Sequence, residues 1–236
     1  MKVLKRILLL LTIGILLFSS YVILKGRREY QKVINEKPIE QAVRAYTDKE
    51  GYVSYEEIDI DYVNAVVAVE DQRYFSRKGF DWIALIRAMF NNMLARKNIE
   101  GGSTISQQIA KNLYYVGKPR GVTEKIAEVF IMLDLEKQYS KEDLVALYAN
   151  INYYGDGYWG IRQASNGYFG KEPIDLSIAQ AALLAGIPNA PSAYQLSTGY
   201  DLAISRQHKV LRRMLEEDYI TQYEYQMAIQ EEIKKP

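Results

Sequence analysis

The sequence GGSTISQQIAKNL at residues 101–113 joins two glycines and two hydroxyl side chains to a helical pattern. A hydroxyl of Ser103 or Thr104 can cap that helix by accepting hydrogen bonds from unpaired backbone N–H groups in its first turn. Beyond the cap, Thr104, Gln108 and Lys111 share one face, and three apolar residues share another. This polar face suits a sugar attached to phosphate, because a helix N-terminus favours anions. An ordinary capped amphipathic helix is the alternative interpretation.

Helical periodicity continues along the chain and predicts a mainly α fold. The predicted helices cover residues 60–71, 82–97, 103–115, 123–138, 141–151, 161–169, 177–184, 202–216 and 221–233. Glycine and proline residues separate them, as expected for turns between helices. A short segment, residues 52–55, has the pattern of a strand. Residues 82–94 are apolar around much of the predicted helix, which indicates either core or a surface seated in lipid.

An uncharged stretch, residues 7–24, lies near the N-terminus between basic residues. Its length is at the short end for a helix that spans a membrane. A cleaved signal peptide is the alternative, but the apolar run is long for one and no small-residue cleavage site follows it. We therefore predict an uncleaved signal anchor. The basic residues on its two flanks are about equal in number and do not decide its orientation.

The charge balance differs between the N-terminal segment and the rest of the chain. Residues 1–28 hold six of the 30 Lys and Arg residues and none of the 29 Asp and Glu residues, so the remaining 208 residues have a net charge of −5. A nucleic-acid-binding domain would show a basic excess, so nucleic acid is not a predicted partner. The chain has no cysteine, which excludes disulfides and a cysteine nucleophile. The single histidine, His208, has no second histidine with which to form a metal site.

Two carboxylates lie beside apolar runs, one on each side of the segment 101–113. Glu70 ends the run AVVAV, and Glu128 precedes the run VFIML, with Lys125 one turn before it. Partial loss of solvation raises the pKa of such a carboxyl group and improves it as a proton acceptor. The pair suits acid–base chemistry at a glycosidic centre, and Lys111, Arg120 and Lys125 favour a substrate that bears phosphate or pyrophosphate. Taken alone, each of these residues is more often a solvated charge.

The chain resembles the peptidoglycan glycosyltransferases, in particular their monofunctional, membrane-anchored form, from about residue 38 to 200. Five motifs carry the resemblance: Glu70-Asp71 with Gly79-Phe80-Asp81; Gly102-Ser103-Thr104 with Gln107-Gln108 and Lys111-Asn112; Lys125 with Glu128; Tyr148-x-Asn150 with Tyr154-Gly155 and Gly160; and AALLAGIPNAPSAY at residues 181–194. The order and spacing of the five motifs make the match specific. The resemblance implies a lysozyme-like helical domain with a small apolar, membrane-associated lobe, which residues 82–94 would form.

The resemblance also implies a reaction, the polymerisation of lipid II into glycan strands. A growing glycan on undecaprenyl pyrophosphate is the donor, and the GlcNAc 4-hydroxyl of lipid II attacks its anomeric carbon with inversion. The catalytic residues would be Glu70, as the base, and Glu128. The substrate-binding residues would be Asp71, Ser103, Thr104, Gln107, Gln108, Lys111, Asn112, Arg120, Lys125 and Asn150. No tightly bound cofactor is implied, although Glu128 and the substrate pyrophosphate could hold a divalent cation, Mg²⁺ or Mn²⁺.

The implied layout is a short basic cytoplasmic tail at residues 1–6, the anchor at 7–24, a linker at 25–37 and the glycosyltransferase domain at 38–236. This layout predicts a single-pass protein of the cell membrane with its catalytic domain on the extracytoplasmic face. The expected partners are lipid II, the undecaprenyl-pyrophosphate-linked glycan, membrane lipid and cell-wall synthesis proteins.

The chain departs from the family pattern at Tyr74, Arg77, Glu124, Ala146 and Gln180. Arg77 stands where the family usually has His and could serve as a structural hydrogen-bond donor, whereas Glu124 adds a negative charge near the expected pyrophosphate. Because of these departures, an alternative function is that of a catalytically weak, lipid II-binding scaffold of a cell-wall complex. A lysozyme-like enzyme that cleaves glycan is a further alternative, but cleavage needs no cations matched to pyrophosphate.

Overall fold

The computed structural model describes residues 2–77 and 103–235. Their α-helices are α1 (Lys2–Glu36), α2 (Ile39–Thr47), α3 (Ile60–Glu70), α4 (Ile105–Tyr114), α5 (Val122–Gln138), α6 (Lys141–Ile151), α7 (Ile161–Phe169), α8 (Ile178–Gly186), α9 (Pro191–Tyr194), α10 (Leu196–Glu216) and α11 (Gln222–Gln230). Three 3₁₀ helices lie at Tyr55–Glu57, Pro173–Asp175 and Ile187–Asn189. Within these two described ranges no strand occurs, and the mainly α prediction is confirmed.

Several predictions fall on residues outside the described ranges. They are the helix at 82–97, the apolar lobe at 82–94, and the motif residues Gly79, Phe80, Asp81, Gly101 and Gly102.

Helix α8 occupies the centre of the core. Seven of its nine residues are buried, and most of them are alanine or leucine. The small alanine side chains allow neighbouring helices to approach closely, and α3, α7, α10 and α11 all pack against α8. Helices α3 and α10 also contact each other. This packing brings the C-terminal end of α3 to the side of α10.

Helix α4 begins with the cap that the sequence predicts. Thr104 is the N-cap, and its hydroxyl oxygen accepts from the N–H of Gln107 at 3.2 Å. In return, Gln107 Oε1 accepts from the N–H of Thr104 at 3.0 Å, which completes a capping box. Packing of α4 against α5 and α6 then fixes the direction of its polar face.

The strand prediction for residues 52–55 is wrong. Val53 lies outside any helix or strand, and its backbone pairs with a side chain, since its N–H donates to Asn150 Oδ1 at 3.0 Å. The Val53 carbonyl oxygen accepts from Asn150 Nδ2 at 2.8 Å. One amide side chain therefore satisfies both backbone groups that a neighbouring strand would otherwise pair.

Helix α1 is continuous from Lys2 to Glu36. Among the described residues it is the helix that is long and apolar enough to cross a membrane, and most of its large apolar side chains between residues 7 and 24 are exposed. These properties fit the predicted membrane anchor. The residues predicted as a linker, 25–37, are helical through Glu36 and pack against α5.

Candidate active site

Glu70 is the last residue of α3 and lies where three helices meet. Nε2 of Gln108, on α4, donates to Glu70 Oε2 at 2.6 Å. The guanidinium of Arg206, on α10, lies 3.6 Å from Glu70 Oε1. The side chain of Glu70 is 12% exposed, so it is largely but not completely buried.

Burial raises the pKa of the Glu70 carboxyl group above its ordinary value. The hydrogen bond from Gln108 and the charges of Arg206 and Lys111 oppose this rise, and the charge of Asp71 adds to it. The net shift is upward, because desolvation disfavours the charged form more than these partners restore it. A carboxylate with a raised pKa is a better proton acceptor than a fully solvated glutamate.

Glu128, on α5, is only 1% exposed and lies among cations. Arg120 Nε is 2.9 Å from Glu128 Oε1, and Lys125 Nζ is 3.9 Å from Glu128 Oε2. Burial raises the pKa of the Glu128 carboxyl group, while the charges of Arg120, Lys125 and Lys111 act to lower it. A buried carboxylate without cations would be strongly destabilising, so these ion pairs offset the cost of its burial.

Lys111, on α4, interacts electrostatically with both carboxylates. Burial and the nearby charge of Arg120 lower the pKa of its ammonium group, and the charges of Glu128 and Glu70 act to raise it. The charge of Lys111 therefore acts on the carboxyl groups of both Glu70 and Glu128. It occupies the same helix face as Gln108, as the spacing of the two residues predicts.

These residues form what we call the carboxylate–cation cluster: Glu70, Glu128, Lys111, Arg120, Lys125 and Arg206. Lys125 Nζ also donates to Ser103 Oγ at 3.0 Å, which ties the segment before α4 to the cluster. Four cations accompany two carboxylates, so the cluster favours an anionic ligand, and a phosphate or pyrophosphate group fits this charge. Sequence reasoning missed Arg206, because nothing in the local pattern of α10 indicates which of its cations meets Glu70.

Several residues predicted to bind substrate have partners within the protein. Thr104 and Gln107 form the capping box of α4 and are 4% and 5% exposed. Asn112 Nδ2 donates to Asn152 Oδ1 at 2.7 Å. The amide of Asn150 holds the backbone of the 52–55 segment. The structure therefore gives these residues roles in stabilising the helices and loops around the cluster.

Asp71 belongs to a separate, buried ion-pair network. Arg77 Nη2 lies 2.8 Å from both Asp71 Oδ2 and Glu136 Oε1, and the three side chains are 2–7% exposed. Ser106 Oγ donates to Glu136 Oε1 at 2.6 Å, and Lys141 Nζ is 3.4 Å from the same oxygen. Arg77 thus acts as the structural donor that the sequence suggested, and the Asp71 carboxylate is paired inside the protein.

Glu124, which departs from the family pattern, has a role within its own helix. Its carboxylate caps α5, since Glu124 Oε2 accepts from the N–H of Gly121 at 2.7 Å. Hydrogen bonds from the backbone N–H groups of Gly121 and Glu124 itself lower the pKa of this carboxyl group. The negative charge therefore stabilises the N-terminus of α5. Gln180 has a comparable role, because its Oε1 accepts from the N–H of Ser177 in the cap of α8.

The donor set around Glu128 does not fit a metal ion held by the protein. Within residues 2–77 and 103–235, no three His, Asp or Glu side chains are grouped so that they could hold a metal ion. The two oxygens of Glu128 face Arg120 and Lys125, which are cations themselves.

Known proteins are similar to this chain over most of its length. Residues 35–215 match the family model described as Transglycosylase. A putative transglycosylase of Cupriavidus necator is 34% identical over 229 residues, which cover 97% of this chain and 95% of that protein. A monofunctional glycosyltransferase of Staphylococcus saprophyticus is 36% identical over 192 residues, which cover 78% of this chain and 70% of the relative.

A longer relative shares the same region. Penicillin-binding protein 1A of Aquifex aeolicus is 40% identical over 181 residues, which cover 77% of this chain and 25% of that protein. The chain thus matches about a quarter of the length of this relative. The family match and the relatives confirm the resemblance seen in the motifs, and the chain belongs to the transglycosylase family.

Proposed function

We propose that this protein polymerises peptidoglycan glycan strands by inverting glycosyl transfer. The donor is a glycan linked to undecaprenyl pyrophosphate, and the acceptor is the GlcNAc 4-hydroxyl of lipid II. The observation that carries the proposal is the carboxylate–cation cluster, in which a partly buried base, Glu70, shares Lys111 with a cation-rich site around Glu128. The family membership and the relative named monofunctional glycosyltransferase support the same activity.

Glu70 acts as the general base in this proposal. Its carboxylate takes the proton of the acceptor 4-hydroxyl while that oxygen forms a bond to the anomeric carbon of the donor. The bond from the anomeric carbon to the pyrophosphate oxygen breaks, and its electron pair leaves with the pyrophosphate. Attack from the opposite side of the leaving group inverts the α linkage to β. General-base catalysis of this kind is worth roughly 100- to 10,000-fold in rate.

The cations around Glu128 stabilise the departing pyrophosphate. Negative charge grows on this group as the bond breaks, so cations that are already in place stabilise the transition state more than the ground state. Arg120 and Lys125 carry this role, together with Lys111. Glu128 holds Arg120 and Lys125 in position through its ion pairs. We propose that these side chains, with no tightly bound cofactor, supply the positive charge.

The membrane anchor fits a lipid-linked substrate. Confinement of both enzyme and substrate to one surface raises their effective concentration. We propose that α1 crosses the cell membrane once and that the catalytic domain lies on the extracytoplasmic face. We also propose that the protein contacts other cell-wall synthesis proteins at this membrane.

One comparison tests the proposal against its two alternatives. The full chain in detergent is incubated with lipid II in one reaction and with finished peptidoglycan in another, and the products are separated by size. Our proposal expects lipid II to be consumed and long glycan strands to appear. Cleavage of finished peptidoglycan would identify a lysozyme-like hydrolase or lytic transglycosylase. Binding of lipid II without polymer would identify a scaffold.

A further inference from the structure

The C-terminal part of α1 lies against α5 at defined positions. A Cβ on Gly26 would lie 2.5 Å from Cβ of Ile126, so the two backbones approach closely at this point. Four residues later, the centroid of the Tyr30 ring lies 5.6 Å from the centroid of the Phe130 ring. A step of four residues on α1 therefore corresponds to a step of four residues on α5. The two helices run side by side in the same direction and in register.

This register gives the position of each α5 residue along the axis of α1, relative to the apolar stretch at residues 7–24. The stretch ends at Leu24, and Gly26 is about 3 Å beyond it at 1.5 Å per residue. Val122 precedes Ile126 by four residues, which places it about 6 Å closer to the membrane. Val122 is then level with residue 22, inside the last turn of the apolar stretch. Glu128, by the same count, lies about 6 Å beyond Leu24, which is the depth of the headgroup layer.

The loop before α5 has the composition of a membrane-contacting segment. Residues 116–122, VGKPRGV, are all exposed. Val116 is 57% exposed and Val122 is 66% exposed, one at each end of the loop. Lys118 and Arg120 are its charged residues, and both are basic. The loop begins next to the buried Tyr115, whose carbonyl oxygen accepts from the N–H of Lys118 at 3.2 Å.

We propose that loop 116–122 is a second membrane contact, which binds the surface of an anionic phospholipid bilayer beside the anchor. Val116 and Val122 enter the boundary between headgroups and acyl chains, and Lys118 pairs with a lipid phosphate. A segment that combines apolar and basic side chains binds such a surface. The apolar side chains enter the acyl boundary, and the anionic headgroups attract the basic side chains. The proposal rests on α1 as the membrane anchor and does not depend on the reaction catalysed.

Site-specific fluorescence tests the depth of the loop. The chain has no cysteine, so Val122→Cys introduces a single site for an environment-sensitive dye. Tyr223→Cys is the matched control, because Tyr223 is 74% exposed on α11, which packs against α10 and α8. Both labelled full-length chains are reconstituted into phosphatidylglycerol vesicles, with and without nitroxide-labelled lipid.

We expect the dye at residue 122 to show a blue-shifted emission and loss of intensity with nitroxide lipid. The dye at residue 223 should show neither change. If the dye at residue 122 emits as it does in water and escapes quenching, the loop does not contact the bilayer and the proposal is wrong.

A second comparison tests the contribution of charge. Lys118→Gln is combined with the label at residue 122, and Lys209→Gln, an exposed lysine of α10, serves as the control. In phosphatidylglycerol vesicles, quenching should fall for Lys118→Gln and stay unchanged for Lys209→Gln. In vesicles of phosphatidylcholine alone, Lys118→Gln should make no difference. Equal quenching of all three chains in phosphatidylglycerol would contradict the pairing of Lys118 with lipid phosphate.

Discussion

After burial and the hydrogen bond from Gln108, the charge of Arg206 is the next largest influence on the pKa of the Glu70 carboxyl group, and it lowers that pKa. The two charged groups are 3.6 Å apart, and their side chains are 19% and 12% exposed. Coulomb's law gives an attraction of about 1 kcal/mol at this distance in bulk water and about 4–5 kcal/mol at an effective dielectric constant of roughly 20. Removal of Arg206 should therefore disfavour the ionised form of Glu70 by an amount in this range and raise its pKa further.

The variant Arg206→Gln should lose activity mainly at low pH. The base is active only when ionised, so the acid limb of the pH profile of kcat/KM for lipid II polymerisation should move to higher pH. On that limb the rate should fall between about fivefold and about a thousandfold, because 1.4 kcal/mol corresponds to a factor of ten. Raising the pH should restore much of the loss.

Arg213→Gln is the control for this experiment. Arg213 lies on the same helix and pairs with Glu216 at 2.8 Å, but the two side chains are 51% and 47% exposed. Exposed pairs of this kind contribute little, so the pH profile should stay as in the wild type. The reasoning is refuted if Arg206→Gln lowers activity by the same factor at every pH, or if Arg213→Gln shifts the acid limb equally.

Three further substitutions test the structural roles assigned above. Arg77→Leu leaves two buried carboxylates without their guanidinium and should lower the free energy of unfolding by about 3–5 kcal/mol, measured by denaturant titration in detergent; a loss under 1 kcal/mol would contradict the buried network. Gly26→Leu places a side chain where even a Cβ lies 2.5 Å from Ile126, so it should separate α1 from α5 and lower the Tm, and an unchanged Tm would argue against this docking. Asn150→Ala removes both hydrogen bonds to Val53 and should lower the free energy of unfolding by about 1–3 kcal/mol with KM for lipid II unchanged. A raised KM would instead support the substrate contact predicted for Asn150.

The sequence predicted the features that depend on neighbouring residues. The cap at Thr104 follows from the hydroxyl and the glutamine three residues later, and the shared face of Gln108 and Lys111 follows from helical spacing. The pKa shift of Glu70 follows from the apolar run before it, because that run predicts burial of the end of α3. The cap and the shared face form within one or two helical turns, and the burial of Glu70 is indicated by the residues directly before it.

The features that the sequence did not predict depend on contacts between distant segments. Arg206 meets Glu70 because α3 and α10 both pack on α8, and periodicity does not show which helices become neighbours. The hydrogen bonds between the Asn150 amide and the Val53 backbone join segments that are far apart in the sequence, so local patterns did not predict them. The docking of α1 on α5 was missed for the same reason.

The central claim is that Glu70 is the base that activates the acceptor hydroxyl. Polymerisation of lipid II by wild type and Glu70→Gln tests it most directly, since glutamine keeps the shape of the side chain and removes the proton-accepting carboxylate. Glu216→Gln, an exposed acid of α10, controls for loss of a charge, and equal Tm values show that the chains are folded. We predict that Glu70→Gln lowers the rate roughly 100- to 10,000-fold while Glu216→Gln keeps the wild-type rate. Polymerisation by Glu70→Gln at the wild-type rate would contradict the account.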